Sequence, residues 1–303
     1  MTTGTDAVDV EEAARQAPAM IRYLGPDDYV TRRYVSQGAE INTGDYFDYE
    51  AAVRDGMPIR DHFAFDTHGF MIGRQPTAVA DFWDKPEVDR LYLGEVERAI
   101  AAMTGADKVA AQGWMIRTSA DLTQRAQEKV AGYQHSGGIQ PTAGEAHIDY
   151  NPQTGERAGA RVYADRFPDG PGYRRHICVS FWRTFSPGPQ DWPLAVMDGR
   201  SIAGDEMASN TLFVVDAFPE GDALVAPVDG EEQMIAASIL RHRSQHRWWY
   251  FSNMDRDDAL LFKFYDSDHA VTWRCPHTAF RDTSLAGAQT RSSIEVRAVA
   301  YFE

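Results

Sequence analysis

The sequence predicts a mainly β fold, a sandwich or barrel with flanking helices. Its second half is a run of short apolar, aromatic and β-branched segments at 177–184, 194–198, 211–217, 248–253, 259–266, 270–273 and 292–302, separated by turn residues. Clear helical spacing occurs in two stretches, 82–103 and 155–167. No internal repeat is visible, which argues against a propeller or solenoid.

Length and composition bound the rest. At 303 residues two domains are the default, yet sandwiches and barrels run long and no linker interrupts the chain. The expectation is one domain over 1–303, with a flexible tail at 1–16, a helical or mixed wrap at 17–110 and a β core at 110–303. With 43% hydrophobic residues the chain can bury a sizeable core. A net charge of −15 argues against nucleic acid or an anionic membrane as partner. Cys178 and Cys275 lie in apolar runs and read as buried free thiols, which suits a reducing cytosol. No signal peptide and no apolar window of about 20 residues is apparent, so the expected location is cytoplasmic.

In chain order, 17–24 reads as the first strand, 25–66 has no clear period, and 68–72 is a short strand ended by Gly73-Arg74-Gln75-Pro76. The helix at 82–103 has Asp84 as N-cap, Pro86 in the first turn and Glu87 at the capping-box spacing. Leu91, Leu93, Val96, Ile100 and Met103 form its apolar stripe, and Gly105 stops it. A strand follows at 108–118. The polar, Gly-rich stretch 119–141 reads as a loop and a candidate lid. Pro168 to Gly172 breaks the second helix.

The chemistry centres on Gly144-Glu145-Ala146-His147-Ile148-Asp149-Tyr150. Along a strand His147 and Asp149 share a face, about 7 Å apart by strand rise, and can close on one metal ion. The pair alone is a weak signal. His277, in Cys275-Pro276-His277, lies far enough downstream to cross a sandwich and return. Two His and one carboxylate make a facial triad with open coordination positions, which suits Fe(II) oxygenases, whereas structural zinc needs a fourth protein ligand. The last strand then places Arg291, Ser293, Glu295 and Arg297 on one face. An arginine fork with a nearby hydroxyl can hold the distal carboxylate of 2-oxoglutarate. The bland alternative is an exposed polar strand face.

These residues resemble the 2-oxoglutarate/Fe(II) dioxygenase superfamily. More narrowly, the chain resembles the hydroxylase/desaturase-like group of secondary-metabolite clusters, which includes the cephamycin 7α-methoxylation component. The resemblance runs through Ala146 to Tyr150, Val179 to Arg183, Asp191 to Ala195, Ala259 to Ser267, Pro276 to Asp282 and Arg291 to Ala298, roughly 110–303. It implies a double-stranded β-helix of jelly-roll, cupin-like type. It also implies Fe(II), 2-oxoglutarate and O2, with His147, Asp149 and His277 on iron and Arg291 on the co-substrate. The chain has Ser180-Phe181-Trp182-Arg183 where the group more often has Asn-Val-Trp-Arg. Hydroxylation, desaturation and ring formation all fall within such a group.

Trp182, Arg183, Tyr265 and Arg281 are the candidate substrate-side residues, with core packing the favoured reading for Trp182 and Tyr265. Arg183 stands out because a charge inside an apolar strand needs a partner. The expected partner of the protein is a small-molecule substrate, of natural-product or amino-acid-like type, with a homodimer or a pathway enzyme as protein partners. Two other readings are a non-catalytic small-molecule-binding accessory sandwich and a cupin-type metalloenzyme that does not use 2-oxoglutarate.

Overall fold

A computed structural model describes residues 10–36, 39–121, 137–282 and 285–303. Two sheets face each other. The larger has ten strands in the order β1 (Gln16–Leu24), β4 (Tyr46–Asp55), β13 (Trp248–Tyr250), β10 (Leu194–Met197), β15 (His277–Ala279), β8 (His147–Ile148), β12 (Ala236–Leu240), β11 (Met207–Val214), β2 (Arg32–Ser36) and β3 (Ala39–Asn42). The smaller has six: β5 (Phe70–Arg74), β14 (Asp258–Asp266), β9 (Arg175–Thr184), β16 (Ser292–Phe302), β6 (Lys108–Thr118) and β7 (Gly138–Pro141). The ten-stranded sheet curls back toward itself, since Arg22 on β1 bridges Glu145 beside β8. The mainly β expectation holds, with the strands wound into facing sheets as in a jelly roll.

Alternation along each strand separates two cores. On β9, Cys178 and Trp182 point between the sheets, while Ile177, Val179 and Phe181 point outward. The outward set would meet water but for α1 (Lys85–Thr104), which covers it with Val88, Tyr92, Val96 and Ile100. This double coverage is why β9 and β14 read as nearly unbroken apolar runs. Asp84 caps α1 by accepting from the Glu87 amide, and Gly105 ends it at φ +73°. The buried stripe is Val88-Tyr92-Val96-Ile100, and Leu91, Leu93 and Met103 flank it.

A second helix, α2 (Pro152–Arg166), is capped by Asn151 and closes one end of the sandwich. Gly155 and Gly159 let it lie directly on Tyr265 and His176: a Cβ on Gly159 would stand 2.2 Å from the His176 ring. The Tyr301 hydroxyl donates to the Gly159 carbonyl at 2.8 Å.

Three expectations are corrected. The stretch 25–66 is not featureless, and much of the wrap is strand: β2, β3 and β4 extend the larger sheet. β3 and β4 are half-exposed, and β2, though mostly buried, carries Arg32, Arg33 and Ser36, so no apolar alternation shows. Residues 270–273 form no strand. The Thr272 carbonyl accepts from buried Lys263 Nζ at 2.8 Å, and Trp273 stacks on His269 at 4.4 Å, so its aromatic character serves packing. Finally, of the expected tail, residues 1–9 lie outside the described residues, and Glu11 is held: its carboxylate pairs with Arg200 at 2.7 Å and His62 at 2.9 Å. Of the candidate lid, 138–141 is strand β7, and residues 122–136 lie outside the described residues.

Candidate metal centre and co-substrate cleft

β8 and β15 are antiparallel neighbours that place His147 directly opposite His277, with ring centroids 4.4 Å apart. β8 ends after two residues because the chain turns at Asp149 toward the α2 cap. Asp149 thereby swings its carboxylate beside both rings. The ligating atoms of His147, Asp149 and His277 all lie within 4.8 Å of one another. The sequence-expected triad is thus brought together.

Backbone carbonyls orient both imidazoles. His147 Nδ1 lies 2.7 Å from the Glu145 carbonyl, and His277 Nδ1 lies 3.5 Å from that of Cys275. With Nδ1–H donating, each Nε2 keeps its lone pair for a cation. Burial, reinforced by the neighbouring His147, pushes His277 down to about 3, so it is neutral at pH 7. Burial alone would raise the Asp149 carboxyl. The Arg297 charge outweighs it and holds Asp149 well below the carboxylate range. Two imidazoles that present Nε2 and one ionised carboxylate fit a divalent iron with coordination positions to spare.

A cavity of about 420 Å³ opens onto His147 and Asp149. Its apolar wall includes Met115, Leu212, Ile235 and Ile239, and Asn210 supplies a buried amide. Behind the histidines a cleft of about 10 Å³, room for one water, is lined by Trp182, Phe262, His277, Arg117, Arg291 and Glu295.

Arg291 is 1% exposed. Its Nη1 donates to the Trp192 carbonyl at 2.8 Å, and its guanidinium lies 5.8 Å from the Trp182 ring centre. Its Nε has no hydrogen-bond partner. Among the described residues no carboxylate forms a salt bridge with this guanidinium, and burial pushes the group down to about 9. A buried guanidinium with no carboxylate directly paired to it is a ready receptor for one.

The other expected positions divide. Ser293 is buried, but its hydroxyl donates to the Arg117 carbonyl at 3.2 Å. Arg297 grips Asp149, through Nε at 2.9 Å and Nη2 at 2.8 Å, rather than lying free for a co-substrate. Trp182 lines the inner cleft as expected. Arg183 does not. It lies on the opposite face of β9, where its guanidinium sits 5.3 Å from the Tyr92 and Phe181 ring centres and donates to the Arg256 carbonyl. Tyr265 is also structural, donating to Glu156 at 2.9 Å beneath α2. Arg281 is exposed beyond β15 and lines neither cavity.

Sequence reasoning missed Arg117 and underused Glu295. Arg117 lines both cavities and holds Glu295 at 3.1 Å. Its signal was a charge inside the apolar strand 108–118, the same signal that drew attention to Arg183. A second grouping, Glu11 with His62 and His68, also has ligand spacing. Its carboxylate is already neutralised by Arg200 and Arg247, which oppose a cation there.

Known proteins resemble the chain over most of its length. Residues 21–301 match the family described as an oxidoreductase/YMDC permease-like domain. The chain is 32% identical to hydroxylase/desaturase CTB9 of Cercospora beticola, over 80% of this chain and 73% of that protein. It is 27% identical to the Fe(II)/2-oxoglutarate-dependent dioxygenase nvfI of Aspergillus novofumigatus, over 84% of this chain and 83% of that one. The solved structure of an iron and alpha-ketoglutarate-dependent endoperoxidase, NvfI, superposes with a TM-score of 0.73 at 22% identity, covering 95% and 98% of the two chains, so the fold is shared.

Proposed function

The chain belongs to the hydroxylase/desaturase group of the 2-oxoglutarate/Fe(II) dioxygenase superfamily, and from that premise we propose that it oxidises a C–H bond of a small organic substrate using iron, 2-oxoglutarate and O2. The observation that carries the reading is the meeting of His147, Asp149 and His277 at the floor of the cavity, with buried Arg291 behind them. Iron and 2-oxoglutarate, when bound, supply the oxidation of both co-substrate, to succinate and CO2, and substrate.

The protein's own part is placement. His147, Asp149 and His277 hold the metal on one side and leave the other open. Arg291 receives the distal carboxylate of the co-substrate, and Trp182 packs against that arginine. The cleft is narrow, so Arg291 and Trp182 move apart as the carboxylate enters. Met115, Leu212, Ile235 and Ile239 give the substrate an apolar wall to pack on, and polar lining groups such as Gln140, Glu145 and Asn210 can orient it. The space suits a small natural-product skeleton. No helix among the described residues is long and apolar enough to cross a membrane, and the buried free thiols Cys178 and Cys275 favour the cytoplasm.

The test is anaerobic. Adding Fe(II) and 2-oxoglutarate should produce the visible charge-transfer band of the chelate, and His277→Ala should abolish it. Admitting O2 should then yield succinate. A wild-type protein with neither band nor succinate would overturn the assignment.

A further inference from the structure

We propose that Arg297 is a positioning residue that reserves one oxygen of Asp149 and leaves the other as the single carboxylate oxygen for the metal. The inference rests on the reading of His147, Asp149 and His277 as iron ligands.

A guanidinium facing a carboxylate ordinarily gives one nitrogen to each oxygen. Here Nε and Nη2 of Arg297 both close on Oδ2, at 2.9 Å and 2.8 Å. Oδ1 is left facing His147 Nε2 at 3.3 Å, on the side where the three ligand atoms converge. The arginine is itself held. Its Nη2 lies 3.3 Å from Glu295 Oε1, and Glu295 Oε2 lies 3.1 Å from Arg117 Nε. Charges alternate along Asp149–Arg297–Glu295–Arg117, and all four side chains are 10–16% exposed. Glu295 and Arg297 stand on one face of β16, so the far sheet fixes a carboxylate on the near one.

Asp149 needs such a hold. It lies past the end of β8, outside the ladder that aligns the two histidines. A carboxylate free to rotate would chelate with both oxygens and occupy a coordination position that a three-ligand site must leave open.

The sign of one measurement separates positioning from charge alone. A guanidinium beside the metal repels it, so on electrostatics alone its removal should tighten metal binding. Positioning requires the reverse. Apo protein is titrated anaerobically with Fe(II), and separately with Co(II), whose visible d–d absorption reports coordination number. For Arg297→Ala we expect metal affinity to fall about 10–100-fold and the Co(II) absorption to weaken as Asp149 chelates. Arg297→Lys keeps the charge and one hydrogen bond, and should lie between wild type and Arg297→Ala. It carries the test if the alanine variant does not fold. Unchanged or tighter binding with an unaltered Co(II) spectrum overturns the proposal. So does an unchanged metal affinity with weakened 2-oxoglutarate binding, which would make Arg297 a co-substrate anchor. A wild-type protein that binds neither metal would instead overturn the ligand assignment beneath it.

Discussion

Arg291 holds its charge almost entirely out of water with no carboxylate paired to its guanidinium, Asp191 and Glu295 acting only from nearby, an arrangement that costs stability. Replacing such a group by an apolar side chain of similar volume commonly stabilises by about 1–4 kcal/mol. Arg291→Met is therefore expected to raise the melting temperature of the apo protein while weakening 2-oxoglutarate binding about 10–100-fold. Calorimetry and anaerobic titration of the chelate band check the two halves. A destabilised variant with normal co-substrate affinity would place the anchor elsewhere. Arg183 supplies the contrast. It too is buried, but Tyr92, Phe181 and the Arg256 carbonyl surround it on the α1 side. Arg183→Met should leave iron and 2-oxoglutarate affinity unchanged.

At the scale of elements, two contacts hold the periphery to the sheets. Glu11 ties the N-terminal turn to His62, Arg200 and Arg247. Its burial would raise the carboxyl, but the arginine and histidine hydrogen bonds bring it from 4.5 to about 2. A folded pKa below the unfolded one stabilises fully above about pH 4.5, and the gain is lost as pH falls toward 2. Glu11→Gln should cost about 2 kcal/mol at pH 7, and the gap from wild type should narrow steadily below pH 4.5 in melting curves. The other contact is α2 on its glycines. Gly159→Ala drives a methyl into His176 and should destabilise by about 1–3 kcal/mol, measured by urea unfolding, without loss of metal binding. Helix α1 shows how far such elements are legible beforehand. Its cap, its stop and its span follow from local residue chemistry, because Asp84 and Gly105 act within a few residues of themselves. Strands β3 and β4 escaped because half-exposed strands have no strong alternation to read, and β2 because its buried positions include Arg32 and Ser36.

For the whole molecule, the candidate ligands stand apart from the apolar packing: neither His147, Asp149 nor His277 belongs to the core between the sheets or to the one outside them. Chelation should leave the far-UV circular dichroism unchanged and lower the melting temperature only by the lost binding energy, about 2.7 kcal/mol at a metal concentration one hundred times Kd. A chelated protein that unfolded would make the metal structural.

His147 and Asp149 were visible in the sequence as a pair because a strand repeats every two residues, and that rule needs no tertiary information. Most of the late strands, the cap and stop of α1 and the arginine-bearing face of β16 were determined in the same local way, though 236–240 was missed and 270–273 misread. Which arginine does what was not. Arg117, Arg183, Arg291 and Arg297 are all charges on buried strands, and nothing in their immediate neighbours distinguishes them. The tertiary structure assigned them by parity and pairing across two sheets: Arg183 toward α1, Arg291 into the inner cleft, Arg117 onto Glu295, and Arg297 onto Asp149. A side chain's partner across a sandwich depends on register between distant strands, and register is set only when the sheets close.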